Sequence, residues 1–170
     1  MTQDLGPATL FRRLAALVYD GLLVVAVLFL GTLVLLPLTG GESITPQDSG
    51  PWEYAYRAWI ALLVAGFFGV SWTRRGQTLG MMSWKIRLQC DDGSLPGWPL
   101  ALLRLGAGAV VALAALVGLF AIGRGAGSLP GSLGSMLLLP AVANYLWMGF
   151  DPEARTLLDR LTGMRVVRVG

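Results

Sequence analysis

The sequence predicts an all-α membrane protein: a bundle of four transmembrane helices with a short two-stranded clip on the cytoplasmic side. Three observations support this fold class. The chain of 170 residues is 55% hydrophobic, and its mean hydropathy is +0.65. Only 14% of the residues are charged, against roughly 25% in soluble domains. Four apolar stretches, counted with their flanks, can reach the length of roughly 20 residues that crosses a bilayer core.

The four predicted transmembrane segments account for about half of the chain. They lie at about residues 14–38, 58–72, 105–122 and 129–148. The first segment is a poor signal peptide, because it is longer than the usual apolar core, contains Asp20 and lacks a small-x-small cleavage site. The second and third segments reach spanning length by including Arg57 or Arg104 near one end. We therefore expect one compact membrane domain.

Basic residues are concentrated on one predicted side of the membrane. They precede the first segment and follow the second and fourth, at Arg12, Arg13, Arg74, Arg75, Lys85, Arg87, Arg155, Arg160, Arg165 and Arg168. The loop at 39–53 carries three acidic residues and no basic one, and the turn after the third segment contains only Arg124. The positive-inside rule then predicts that both termini are cytoplasmic.

Residue composition excludes several kinds of catalytic site. The chain has one cysteine, Cys90, and no histidine, which excludes an intramolecular disulfide, Cys/His zinc sites and the usual Ser/His or Cys/His hydrolases. The glycine-rich turn at 123–127 joins two membrane segments rather than a strand and a helix, so it is not a phosphate-binding loop. We expect no enzyme activity, no cofactor, no metal and no nucleic-acid partner.

Asp20 is the most unexpected residue of the first apolar segment. A carboxylate at the centre of a membrane helix costs roughly 2.5 to 3.5 kcal/mol. Arg13 lies two helical turns earlier, and Arg104 and Asn144 are predicted at a similar depth in the third and fourth segments. We therefore predict that Arg13, Arg104 or both neutralise Asp20. Such a cluster either serves helix packing alone or lines a cavity for an ion or small charged solute.

Several further patterns predict packing of the segments. Gly108 with Ala112, and Ala114 with Gly118, have the small-xxx-small spacing of closely packed helices. The stretch at 79–84 is a short amphipathic segment, and Leu157–Leu161 is a predicted helical turn. The β-prone runs at 85–90 and 164–169 are expected to pair, since a lone strand would leave unpaired edges. This pairing would bring Asp159 toward the cytoplasmic mouth of the helix bundle.

These motifs together resemble the RDD family of membrane proteins, named for an arginine and two aspartates. "FRRLAALVYD" matches its opening pattern with Arg13 and Asp20, and "GQTLGMMSWKIRLQCDDG" is similar to its central stretch. Arg104 matches an arginine in the following helix, and "LLDRLTGMRVV" places Asp159 as the second aspartate. The chain departs from the pattern at Leu158, where histidine is common. The resemblance covers residues 8–167 and leaves residues 1–7 as a cytoplasmic N-terminal tail.

The resemblance implies a multi-pass protein of the bacterial inner membrane. The expected role is transport or binding of an ion or small charged solute through an Arg/Asp cluster on the cytoplasmic side. The resemblance supports Arg13, Asp20, Arg104 and Asp159 as its candidate residues, and predicted depth in the membrane adds Asn144. The alternative is a non-catalytic interaction or assembly partner whose charges serve helix packing. The lipid bilayer is the expected environment, with a second copy or another membrane protein as partner.

Overall fold

The computed structural model of the chain describes residues 4–39, 51–123 and 131–170. Six α-helices lie within these ranges: α1 (Leu10–Leu35), α2 (Pro51–Arg75), α3 (Leu79–Ser83), α4 (Trp98–Gly123), α5 (Gly131–Leu146) and α6 (Leu157–Leu161). Three β-strands lie there as well: β1 (Asp4–Pro7), β2 (Ile86–Cys90) and β3 (Met164–Val169). Short 3-10 turns extend α1 over Leu36–Thr39 and α5 over Trp147–Gly149. The predicted outer loop and the glycine-rich turn fall largely outside the described residues.

Three of the helices are long and apolar enough to cross a membrane. These are α1, α2 and α4, with 26, 25 and 26 residues. Their side chains are largely exposed in the isolated chain, as expected of helices that contact lipid. The fourth predicted segment is an apolar helix at Leu133–Gly149 that falls short of the same length. Three of the four predicted spanning helices are thus supported by length and composition, while the fourth span remains a prediction.

Helices α4 and α5 pack closely through glycines. A Cβ atom on Gly118 would lie 2.6 Å from the carbonyl oxygen of Gly134, and one on Gly134 would lie 3.1 Å from the Cβ of Ala121. The small residues therefore let the two backbones approach each other. Of the predicted small-residue positions, Gly118 is at this contact, whereas the nearest neighbour of a Cβ on Gly108 would be Leu158, at 3.7 Å.

The strands form a sheet of order β1-β3-β2 in which both pairings are antiparallel. In the predicted pair, Ile86 lies opposite Arg168 and Cys90 opposite Met164. The expectation of two strands is nevertheless wrong, because residues assigned to an N-terminal tail form β1 on the other edge of β3. Gly6 and Pro7 have low strand propensity, so the segment carries no pattern that predicts a strand. Proline is tolerated in β1 because it is an edge strand.

The buried core lies where this sheet meets the ends of the helices, a region called the sheet end below. It contains Ile86 and Leu88 of β2, Met164 and Val166 of β3, and Ala8, Ala16 and Met81. The two short helices also lie here, each begun by a threonine: Thr78 Oγ1 accepts from Met81 N before α3, and Thr156 Oγ1 accepts from Asp159 N before α6. Capping by threonine explains why such short helices form at these positions.

Candidate functional site

Asp159 is a fully buried carboxylate at the centre of the sheet end. Its place is fixed locally, since it completes a capping box with Thr156 at the start of α6. Arg13 Nη1 donates to Asp159 Oδ2, and Arg104 Nη2 donates to Asp159 Oδ1 at 2.5 Å. Burial acts to raise the pKa of this carboxyl, but the guanidinium groups of Arg104 and Arg13 more than offset it and hold the pKa below its ordinary value.

Arg13 ties together several segments of the sheet end. Besides Asp159, its guanidinium donates to the carbonyl oxygens of Ala8 at 3.1 Å, Ala154 at 3.1 Å and Val166 at 3.2 Å. These bonds use four of the five N–H donors that arginine carries. The carbonyl of Ala154 is presented by a left-handed backbone with φ of 49°. Arg13 is therefore committed almost entirely to the structure.

Arg104 has the same charge but fewer contacts. Its guanidinium donates to Asp159 and, weakly at 3.4 Å, to Thr162 Oγ1. About three N–H donors are left without a partner among the described residues. The Arg104 side chain is 12% exposed, so it is not completely closed off from a ligand. Arg104 is therefore able to bind a further acceptor while it holds Asp159.

Asp20 does not pair with either arginine, and the predicted ion pair is wrong. Its Oδ2 accepts from Thr78 Oγ1 at 2.5 Å, and its Oδ1 accepts from Gly80 N at 2.9 Å. It forms no ion pair with any described residue, although it is only 4% exposed. The arginines are held by Asp159 instead, and two helical turns put Arg13 roughly 10 Å from Asp20 along the axis. A carboxylate has about four acceptor positions, so Asp20 retains unused capacity.

Asn144 is the remaining sequence-predicted site residue. Its Oδ1 accepts from Leu158 N at 2.8 Å, which links α5 to the start of α6. This contact fixes the side-chain amide, whose nitrogen has no hydrogen-bond partner within the described ranges. Asn144 thus joins the cluster around Asp159 through α6 rather than through a contact with Asp20.

Sequence reasoning missed three polar groups of the site, on Thr78, Trp72 and Tyr145. Thr78 carried a recognisable signal, a threonine directly before a short apolar helix. The indole Nε1 of Trp72 is buried without a partner, and the Tyr145 hydroxyl has none among the described residues. As aromatic residues near the ends of apolar segments, Trp72 and Tyr145 are indistinguishable in the sequence from interfacial anchors.

These groups surround a cavity of about 150 Å³ at the sheet end. Its polar lining residues are Arg13, Asp20, Trp72, Arg104, Asn144, Tyr145 and Thr156. Apolar side chains of α2, α3 and the sheet, among them Phe68, Met81 and Ile86, complete the wall. Asp20 and Arg104 therefore line one cavity without a direct bond between them.

The cavity wall carries two separate charged groups of opposite sign, called its two ends below: Arg104 beside Asp159, and Asp20. Arg13 and Arg104 share the single carboxylate of Asp159, which leaves one positive charge in excess. Asp20 has hydrogen-bond donors but no cation, which leaves one negative charge in excess when it is ionised. Uncompensated charge in a buried site is costly, so the arrangement is suited to a solute that supplies the missing partners.

Comparison with known proteins adds the family. No curated protein and no solved structure matches the chain. The family model described as "RDD family" matches residues 7–163, which include all five sequence-predicted site residues. The match covers almost the whole chain, from the last residue of β1 through α6, so the long helices, β2 and α6 fall inside it, whereas β3 lies beyond its end. The chain belongs to the RDD family.

Proposed function

We propose that this RDD family protein binds a small charged solute in the cavity at its sheet end and moves it across a membrane, without enzymatic chemistry or a cofactor. The single observation that carries the proposal is the cavity of about 150 Å³ with Asp20 and Arg104 in its wall. Ionisable groups inside membrane segments are expensive and usually mark solute or ion pathways. If Asp20 and Arg104 bound no solute, nothing would offset the free energy of placing both charges in the membrane segments.

Unused hydrogen-bonding capacity supports binding over packing. A cluster whose only task is packing tends toward full satisfaction of its polar atoms. Arg104, Tyr145 and the Asn144 amide instead retain free donors, and the Trp72 indole N–H is buried without an acceptor. All four residues line the cavity. A bound solute with acceptor groups would satisfy them together.

The proposal includes an orientation in the membrane. We place the sheet end on the cytoplasmic side of a bacterial inner membrane, because most basic residues lie there, among them Arg74, Arg75 and Lys85. The cavity would then open toward the cytoplasm. Four helices enclose little room for a complete pathway, so we further propose that copies of the chain associate in the bilayer.

The alternative is a non-catalytic assembly partner whose charges serve the fold. The arrangement of Arg13 favours it, since four hydrogen bonds commit that residue to holding α1, α6 and the sheet together. The alternative accounts for Arg13 and Asp159. It offers no role for the cavity-facing donors of Arg104 or for the unpaired carboxylate of Asp20.

Flux in proteoliposomes tests the proposal. The purified full chain is reconstituted and assayed with a panel of labelled inorganic cations, anions and small organic ions. We expect saturable uptake of at least one of them, which Asp20→Asn lowers by about tenfold or more. The matched control is Glu53→Gln, which changes a partly buried carboxylate that is paired with the exposed Arg57 and lies outside the cavity. Absence of flux for the whole panel, or equal flux in Asp20→Asn and wild type, would favour the assembly role.

A further inference from the structure

The division of charge across the cavity limits the class of solute. One end offers a guanidinium whose carboxylate is already shared with Arg13. The other end offers the carboxylate of Asp20, which is bonded only to a hydroxyl and a backbone N–H. An anion alone would leave Asp20 unpaired, and a cation alone would leave the excess positive charge at Arg104 unpaired. A solute with both charges satisfies each end.

We infer that the cavity binds a small zwitterion, with an anionic group at Arg104 and an ammonium group at Asp20. This inference rests on the proposed function and specifies its substrate class. The anionic group would accept from free N–H donors of Arg104, and the ammonium group would donate to unused acceptor positions of Asp20. Both contacts are charge-assisted hydrogen bonds within one largely buried space, where such bonds are stronger than in water.

Neutral donors support the same orientation. The Tyr145 hydroxyl and the Asn144 amide nitrogen come from the α5 side of the cavity, where Asn144 also contacts α6, the helix that carries Asp159. Tyr145 follows Asn144 directly on α5 and lines the same cavity as Arg13 and Arg104. Donors in excess of acceptors at this end suit a carboxylate. At the opposite end, Asp20 forms no ion pair with a described lysine or arginine, so its carboxylate is open to an ammonium group.

Cavity size limits the solute to a few heavy atoms. A volume of about 150 Å³ is comparable to engineered cavities that hold benzene, with about six heavy atoms. Alanine has the same number of heavy atoms and carries both charges on adjacent groups. The apolar wall formed by Phe68, Met81 and Ile86 would accommodate its methyl group. Larger side chains would need the cavity to open.

Three probes of related shape test the inference on the wild-type chain. L-alanine, propionate and ethylammonium are titrated against the full-length protein in detergent micelles by calorimetry, with thermal unfolding as a second readout. Propionate lacks the ammonium group and ethylammonium lacks the carboxylate. We expect saturable alanine binding and affinities about tenfold or more weaker for each single-charge probe. The comparison does not depend on any variant being able to fold.

Variants then assign each charge to its end of the cavity. Asp20→Asn should reduce alanine affinity to that of propionate, whereas Arg104→Gln should reduce it to that of ethylammonium. Asp92→Asn, a change on the exposed turn after β2, is the matched control and should bind alanine as wild type does. Should Arg104→Gln fail to fold, Tyr145→Phe removes one donor from the same end and is expected to weaken alanine and propionate by the same factor.

The outcomes separate the two proposals. If propionate or ethylammonium binds as tightly as alanine, the zwitterion assignment is overturned while a charged-solute site remains. Binding of sodium or inorganic phosphate without binding of alanine overturns the assignment in the same way. If none of these probes binds and proteoliposome flux is also absent for every ion, both the assignment and the proposed function are wrong.

Discussion

Asp159 and Asp20 are two buried carboxylates at the same end of one molecule, and their surroundings differ in kind. Asp159 is bonded to two guanidinium groups and is completely buried. Asp20 is 4% exposed and is bonded to the Thr78 hydroxyl and the Gly80 amide. One carboxylate is neutralised by permanent partners, whereas the other is positioned but not neutralised.

This difference separates the structural from the functional use of buried charge. Removing one member of a buried ion pair strands the other, so Asp159 and Arg13 are needed for the fold itself. A carboxylate held only by neutral donors has no such partner to strand. Asp20 is therefore free to take a charged partner that arrives and leaves, and the following changes test how far the two roles are separate.

The largest expected effect is the loss of the Asp159 charge. Asp159→Asn leaves Arg13 and Arg104 as two buried guanidinium groups without a counterion, which we expect to destabilise the protein by about 3 to 5 kcal/mol. Thermal and denaturant unfolding in detergent micelles measure this loss. Asp20→Asn is the comparison, since an asparagine can still accept from Gly80 N, and we expect a cost of about 1 kcal/mol. Equal costs at the two positions would contradict the distinction.

Acid sharpens the same comparison. The pKa of Asp159 is lowered in the folded protein, so its stabilisation is fully present above the unfolded-state value of about 3.9 and is lost as pH falls through the folded pKa below it. The stability difference between wild type and Asp159→Asn should thus stay constant from about pH 8 to pH 5 and narrow below about pH 4. Unfolding free energies of wild type and Asp159→Asn between about pH 8 and pH 3 check this expectation. A difference that narrows already near neutral pH would contradict the assignment.

The two arginines should differ although they bind the same carboxylate. Arg13→Lys replaces four hydrogen bonds to separate segments with a point charge that cannot reproduce the planar fork, and we expect a loss of about 2 to 3 kcal/mol. Arg104→Lys keeps the bond to Asp159 and gives up only the long contact to Thr162, so the expected loss is below about 1 kcal/mol. Unfolding free energies of Arg13→Lys and Arg104→Lys test this difference. A larger loss in Arg104→Lys would show that Arg104 is the structural residue.

Whether a contact of this site could be predicted from the sequence depends on whether side chains or the backbone make it. Helical spacing and membrane depth predicted Arg13 and Arg104 as site residues, and the resemblance matched both of them and Asp159. Unpaired strand edges predicted the pairing of β2 with β3, which brings Asp159 to the same side. Contacts made by the backbone could not be predicted, because they do not depend on a particular residue type. The amide of Gly80 carries no side-chain signature, and the carbonyl oxygens that accept from Arg13 belong to residues as ordinary as Ala8 and Val166. The partners of Asp20 were therefore assigned to the nearest available cations.

Strand β1 was missed for a related reason. Its residues Asp4 to Pro7 show no alternation of apolar and polar side chains, and the segment gains its structure from the free edge of β3. Tertiary context here overrides a low local propensity. The same edge positions Ala8, whose amide donates to Val166 O at 3.0 Å and whose carbonyl accepts from Arg13. Recognising β1 requires knowledge of the sheet.

At the Asp20 end, Gly80 offers a smaller and more local effect. A Cβ atom there would lie 2.5 Å from the carbonyl oxygen of Ala16 and 2.7 Å from Asp20 Oδ1. Gly80→Ala must therefore move α3 away from α1, with an expected cost of about 1 to 3 kcal/mol. Gly93→Ala is unsuitable as a control because of its positive φ of 83°, whereas Gly106→Ala meets no atom within 4 Å. Unchanged stability in Gly80→Ala would contradict the close contact that orients Asp20.

The smallest expected effect is a gain at the Asp159 end. Ala154 has a left-handed backbone with φ of 49°, which costs a residue with a Cβ roughly 1 kcal/mol that glycine avoids. Glycine loses part of this advantage through the greater entropy of the unfolded chain, so Ala154→Gly should stabilise the protein by at most about 0.5 kcal/mol.

Ala154→Val is the matched change in the other direction, since a β-branched side chain is poorly tolerated at positive φ. Because the carbonyl of Ala154 accepts from Arg13, valine should also weaken the Arg13 contacts and destabilise more in wild type than in Arg13→Lys. Additive effects of Ala154→Val and Arg13→Lys in a double-mutant cycle would show that the strained turn does not serve the arginine.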